Sequence, residues 1–166
     1  VAASLGALRD GGLRVSDSAL ARGLARVRWP GRFEVLRRGG RTLILDGAHN
    51  PQAMGEFCRT LEASPWARSP KLFVVGMLAD KDYRAMARRL GPHLTKAVAV
   101  EPSSPRALSA GRLAGALLSA SPRARITAAV SRDHFRTFQT VERLTGDDGV
   151  CYFDWPTDAW VVLNVW

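Results

Sequence analysis

From Leu43 onward the chain repeats one grammar: a short apolar run, a polar turn, then a segment of about ten residues with helical spacing. The run Leu43–Leu45 leads to a predicted helix Pro51–Leu61, Leu72–Val75 to Asp82–Leu90, Ala97–Val100 to a helix near Ser109–Ser119, and Ile126–Val130 to Asp133–Leu144. A last apolar run starts at Val150. Runs this short and this continuously apolar suit strands buried on both faces, the pattern of a parallel sheet whose crossovers are helices. Right-handed crossovers then give an α/β fold, doubly wound, with a mostly parallel sheet and helices on both faces. Upstream, FEVLRR and RTLILD flank Gly39-Gly40 and read as an N-terminal β-hairpin. Two earlier helices are expected, AASLGALRD closed by Gly11 and Gly12, and SDSALARGLARV capped by Ser16 or Asp17.

Length and composition narrow the function classes. A chain of 166 residues, 46% of them apolar, suits one domain with a short appendage. No run approaches the ~18 apolar residues of a membrane span. The opening VAASLGALRDGG lacks the charged-then-apolar plan of a secretory signal. Its first residue is not Met, and it reads as a piece of something longer. The net charge is +9, yet only Lys71, Lys81 and Lys96 of the 24 basic residues are lysines, and the arginines scatter from Arg9 to Arg143. A nucleic-acid module would show a clustered stripe or a motif. The charge therefore points to solvated surface and an anionic small ligand rather than nucleic acid. Cys58 and Cys151 are too few for a disulfide framework and lack CxxC or metal spacing, so reduced thiols in the cytoplasm are expected.

In doubly wound sheets ligands sit beyond the carboxyl ends of the strands. Those ends are Asp46–Pro51, Gly76–Asp82 and Glu101–Arg106, all rich in polar and turn residues. In ILDGAHNPQAM, Asp46 ends a strand, Asn50 is a good N-cap and Pro51 a good first helical residue. Asp46 and His49 thus face a crevice beside a helix N-terminus, a favourable place for anions, although the same residues could serve only to cap the helix. The turn Trp29-Pro30-Gly31 sets the direction of Arg32, whose fork of donors suits phosphate or carboxylate; stacking on Trp29 is the alternative. Lys81, between Asp80 and Asp82, could hold a substrate carboxylate or form a local ion pair of little worth.

Four segments in this order, WPGRFEVL, LILDGAHNPQAM, VVGMLADKD and EPSSPRAL, resemble folylpolyglutamate synthase/dihydrofolate synthase of the ATP-dependent Mur ligase superfamily. The resemblance runs over roughly Ser16 to Gly149, and it is to the C-terminal domain of such enzymes, a Rossmann-like α/β sandwich. It implies that residues 1–15 are a remnant of the preceding central ATPase domain and that 16–166 are the C-terminal domain. These enzymes use ATP to phosphorylate the carboxylate of dihydropteroate or a folate, and the amine of glutamate then displaces phosphate. Carried onto this chain, the resemblance puts Arg32 on the nucleotide phosphates and Asp46 on the ribose hydroxyls or on Arg32. His49 falls at the interdomain crevice near the reacting groups, as a catalytic residue, and Lys81 on the carboxylate of the incoming amino acid. Ser104 and Arg106 receive no role. No metal ligand is implied here; Mg2+ accompanies ATP and is held mainly by the missing central domain, which carries the phosphate loop and a carbamylated lysine. A cytoplasmic monomer is implied.

Two departures qualify this. No GxxxxGK[ST] phosphate loop occurs in the 166 residues, so ligation by this chain alone is not expected. The end, GVCYFDWPTDAWVVLNVW, has Pro156 and lacks the Gly-Ser turn and apolar helix with which the family usually closes its glutamate side. Two other readings stay open: a cell-wall precursor ligase domain of the same superfamily, and a degenerate non-catalytic binding module. The WPGR–DGAHNP pairing followed by ADKD favours the folate branch.

Overall fold

The computed structural model describes residues 2–38, 40–102, 104–130, 139–143 and 159–164. They fall into two compact units, Val1–Pro30 and Gly31–Trp166. The first unit holds α1 (Ala2–Asp10) and α2 (Asp17–Arg26). Ser16 caps α2, its hydroxyl accepting from the Ala19 N–H, and Arg9 pairs with Asp17.

The second unit begins with the expected hairpin, β1 (Glu34–Arg38) against β2 (Arg41–Asp46), with Arg38 opposite Arg41. There follow α3 (Pro51–Ala63), β3 (Lys71–Gly76), α4 (Tyr83–Leu90), β4 (Lys96–Val100), α5 (Ala110–Ala120), β5 (Arg125–Val130), β6 (Gln139–Arg143) and β7 (Ala159–Asn164). The seven strands form one sheet in the order β1-β2-β7-β3-β4-β5-β6. The five inner strands run parallel, and the two edges, β1 and β6, are antiparallel. β7 lies between β2 and β3, with Ile44 and Phe73 both opposite Val161. The last described strand of the chain therefore completes the middle of the sheet, not its margin.

The apolar runs explain themselves once both faces are seen. On one face Ile44, Phe73, Val75, Ala97, Ala99, Ile126 and Ala128 pack with Met54, Phe57, Leu61, Met86, Leu90, Leu113 and Leu117 from α3, α4 and α5. On the other face Val98, Val100 and Ala129 gather with Leu72 and Val74. Each strand alternates between two apolar surroundings, so its sequence shows no polar alternation. Among the described residues, the helices of this unit all belong to the first face.

The helix expected over Asp133–Leu144 is not seen where that stretch is described. Over Gln139–Arg143 the chain is β6, paired antiparallel with β5 through a register shift at Ala128/Ala129; residues 133–138 and 144 lie outside the described residues. Phe135, Phe138, Val141 and Leu144 mimic a helical stripe, but Thr140-Val141 is a β-branched pair that favours extended backbone when a strand edge is open beside it. The tail from Val150 to Asp158, with Cys151 and Pro156, likewise falls outside them.

Close packing also fixes small details. A Cβ on Gly91 would lie 2.6 Å from the Ala120 carbonyl oxygen, so only glycine lets the 3-10 turn Gly91–His93 sit against the end of α5. Lys71 opens β3 nearly buried, and its ammonium donates to the carbonyls of Trp66, Ala67 and Ser69 at 2.8–2.9 Å, folding the α3–β3 turn around one cation. Burial holds its pKa below the ordinary lysine value. The loops after β3 and β4 are zipped together: the Ala79 N–H donates to the Arg106 carbonyl, the Leu108 N–H to that of Met77, and Arg106 pairs with Asp80.

Candidate functional site

The last residue of β2 organises the site. Asp46 is 9% exposed, and its two carboxylate oxygens accept from different directions. Oδ2 takes the Phe33 N–H at 2.7 Å, from the segment before the hairpin, and Oδ1 takes the Ala48 N–H at 2.8 Å, from the turn into α3. A third link runs alongside, from the Gly47 N–H to the Gly31 carbonyl at 2.8 Å. A fourth joins the Gly31 N–H to Glu34 Oε2 at 2.9 Å.

These bonds hold an unusual backbone. Gly31 has φ 71° and Phe33 φ 43°, and for a residue with a Cβ that left-handed region costs ~1–2 kcal/mol. Phe33 is held there by the Asp46 carboxylate on its N–H and by its ring against Phe57, centroids 5.8 Å apart. Arg32 sits between two residues that are both tied down, so its Cα is fixed while its side chain stays exposed. The Asn50 side chain accepts from the Ala53 N–H at 2.8 Å, and with Pro51 it starts α3 beside the same turn.

A pocket of about 380 Å³ opens here, lined by Arg32, Asp46, His49, Asn50, Gln52 and Glu56 over a floor that includes Phe33 and Phe57. His49 Nδ1 lies 3.0 Å from the Gly47 carbonyl oxygen. A carbonyl only accepts, so this bond puts the Nδ1 hydrogen on Gly47 and, in the neutral ring, leaves Nε2 as an acceptor. The structure therefore brings Arg32, Asp46 and His49 into one pocket. Lys81 is not part of its lining. It belongs to the zipped β3–α4 loop, where its N–H donates to the Leu78 carbonyl and its own carbonyl accepts from Tyr83, and its ammonium has no partner among the described residues. Arg106 is engaged with Asp80.

Sequence reasoning missed Glu34, Gln52 and Glu56. Glu34 left one trace, a carboxylate three residues after a glycine turn, the spacing at which a side chain can reach back to a free N–H. Gln52 and Glu56 stand four apart on α3 and so share a face, which was legible in principle. Among the described residues no group of three or more His, Cys, Asp or Glu is placed to hold a metal ion, and no helix is long and apolar enough to cross a membrane.

The chain is similar to known ligases. It is 44% identical over 100 residues to a Halobacterium salinarum protein named "Probable bifunctional folylpolyglutamate synthase/dihydropteroate synthase", covering 60% of this chain and 12% of that one. Folylpolyglutamate synthase from Mycobacterium tuberculosis, solved with ADP, matches at TM-score 0.63 and 30% identity over 76% of this chain and 28% of its own. The Yersinia pestis bifunctional folylpolyglutamate synthase/dihydrofolate synthase, solved with AMPPNP and Mn ion, matches at TM-score 0.65 and 27% identity over 96% and 34%. The chain thus spans about a third or less of the length of each. The clamp, the pocket and the helix start beside it all lie within residues 31–152, which match the family "Mur ligase, glutamate ligase domain", and the chain belongs to that family.

Proposed function

We propose that this chain is the C-terminal domain of a cytoplasmic, monomeric ATP-dependent ligase that adds L-glutamate to dihydropteroate or folates through an acyl phosphate. The Arg32–Asp46–His49 pocket is the wall it contributes to the ATP and glutamate site. The observation that carries this reading is the clamp: one strand-terminal carboxylate fixes the residue after Arg32 and the turn into α3 together. Acyl phosphate chemistry gains most from donors held near where charge develops, and an arginine whose Cα is fixed at the pocket rim is such a donor. The names of the relatives favour the folate branch of the superfamily over the cell-wall branch.

Each residue then has a task. Arg32 presents a planar fork to the nucleotide phosphates. Asp46 has used two of its roughly four lone-pair sites on backbone N–H groups, leaving room to accept from a ribose hydroxyl. His49 Nε2 accepts a hydrogen from the glutamate amine as it attacks the acyl phosphate. Lys81, on the next loop, holds the glutamate carboxylate. ATP needs Mg2+, whose charge neutralises the transferring phosphoryl group. By the family resemblance it is held mainly by the central ATPase domain, of which residues 1–15 are the last helix.

The test is glutamate-dependent phosphate release from ATP by the chain joined to its phosphate-loop domain, with dihydropteroate and tetrahydrofolate as acceptors. Arg32→Ala should lower kcat/KM at least tenfold, ~1.4 kcal/mol. Unchanged kinetics in a folded variant removes Arg32 from the site, and turnover only with UDP-linked peptide acceptors moves the domain to the cell-wall branch.

A further inference from the structure

Away from that pocket, α4 and α5 lie side by side and leave a groove of about 570 Å³ between them. Its walls carry Tyr83, Arg84 and Arg88 from α4 and Arg112 from α5; its floor is Gly115, Ala116, Ser119 and Ala120. The floor is open because its residues are small, and a Cβ placed on Gly115 would meet nothing within 4 Å. The groove shares no residue with the pocket at Arg32.

What marks these charges is that three arginines without an ion pair among the described residues line one groove. Arg9, Arg59 and Arg106 each pair with a carboxylate. Among the described residues no carboxylate pairs with Arg84, Arg88 or Arg112, and neither α4 nor α5 contains an Asp or Glu. Arg84 and Arg88 stand four apart on one helix, an arrangement in which like charges repel. Tyr83 draws two of the three inward: the Arg84 guanidinium lies 5.9 Å and that of Arg112 5.7 Å from its ring centroid, and Arg112 Nη2 donates to its hydroxyl at 3.3 Å. From Arg112 to Ser119 the floor runs about 10 Å along α5, room for more than one oxyanion.

We propose that the α4–α5 groove binds a small polyanion bearing two or more phosphate or carboxylate groups, with Arg84, Arg88 and Arg112 as donors and the Gly115–Ser119 face as floor. Guanidinium forks meet either kind of oxyanion with paired N–H bonds, and a floor of small residues lets the ligand lie close to the helix. Binding also removes the repulsion between the arginines. The neighbouring Arg84 and Arg112 guanidiniums already hold the Tyr83 phenol below its usual range, so a bound anion that neutralises them lets it rise. The proposal stands whether or not the pocket at Arg32 binds ATP.

Calorimetric titration of the 166-residue chain with inorganic tripolyphosphate and, separately, citrate, at physiological ionic strength, tests it. At least one probe should bind saturably at one site. Affinity should fall at least tenfold in the double variant R84Q/R112Q with its melting temperature kept, and stay within twofold in Arg59→Gln. Preference for tripolyphosphate assigns a phosphate ligand, and preference for citrate a carboxylate one. In Tyr152→Phe, which leaves Tyr83 as the only tyrosine, the same probe should move the phenol's ultraviolet titration upward. Saturation by neither probe, an equal loss in Arg59→Gln, loss only in Arg32→Ala, or an unmoved tyrosine titration overturns the assignment.

Discussion

Replacing Asp46 with asparagine keeps the shape of the side chain and removes one acceptor. In the wild-type chain both oxygens are used, at 2.7 Å to the Phe33 N–H and 2.8 Å to the Ala48 N–H. An amide offers one oxygen and one NH2, so whichever way it turns, one backbone N–H faces another donor. The bond that is lost is charge-assisted, ~1.5–3 kcal/mol, and the one that survives falls to the ~1 kcal/mol of a neutral pair. Phe33 is only partly buried, so water can recover some of the loss, while the left-handed φ of Phe33 adds strain that the clamp had offset. The expected cost is ~2–4 kcal/mol. For a domain of this size that lowers Tm by about 5–15 °C. Differential scanning calorimetry measures it, and urea unfolding with an unchanged m-value confirms that the native state was the one weakened. Arg32→Ala is the contrast: the side chain is exposed, and its loss should move stability by no more than ~0.5 kcal/mol while reducing nucleotide affinity. A Tm for Asp46→Asn within about 2 °C of wild type refutes the clamp, because both N–H groups would then have other partners.

Gly91→Ala should destabilise by ~1–3 kcal/mol, since the new methyl must displace the Ala120 carbonyl 2.6 Å away; a Tm equal to wild type means the α5 end yields freely. Burial pushes the Cys58 thiol up from 9.0 to about 11, so folding holds this proton more tightly than the unfolded chain does. The stability it lends is therefore complete below pH 9 and lost as pH rises from 9 towards 11, by up to roughly 3 kcal/mol; the pH profile of Cys58→Ala should lack that fall, and identical slopes would refute it. With the α4–α5 groove disabled by R84Q/R112Q, the 166-residue chain by itself should bind ATP more weakly than micromolar, and a calorimetric titration of that variant showing tight saturation would contradict the division of the site between two domains.

How much of this was readable beforehand depended on whether the determining contact was local. Hairpin, strands β2 to β5 and helices α3 to α5 were all legible, because each is announced by its own residues: the glycine pair at 39–40, the Asn50-Pro51 cap, the apolar runs. The stretch holding β6 reads as helix because Phe135, Phe138, Val141 and Leu144 recur at helical spacing, and only the open edge of β5 decides for the strand. The place of β7 could not be read at all, since insertion between β2 and β3 is a choice made by the rest of the sheet. At the site the same division holds. Asp46 and His49 were visible as residues of a strand end, but the Asp46–Phe33 bond spans thirteen positions and turns a residue read as a ligand contact into the support of its neighbour. Lys71 gave no sign, for a lysine that opens a strand ordinarily points to water.

The distribution of charge limits what this pocket can do alone. Of the +9 carried by the chain, the pocket holds Arg32 against the carboxylates of Asp46 and Glu56, and Glu56 is in turn paired with Arg59. Within a Debye length of ~8 Å such a set is close to neutral, so it cannot hold a triphosphate by field strength. What it offers is direction: an arginine with a fixed Cα at a helix start. The opposing positive charge has to arrive with another group, which is what a phosphate loop and its cation supply where they are present. Three arginines without a carboxylate partner among the described residues, Arg84, Arg88 and Arg112, stand instead along α4 and α5, on residues that do not line this pocket. The basic character of this chain therefore does not locate the Arg32 pocket. That pocket is located by geometry, through a carboxylate that gives both its oxygens to the backbone and so fixes the Cα of Arg32 at its rim.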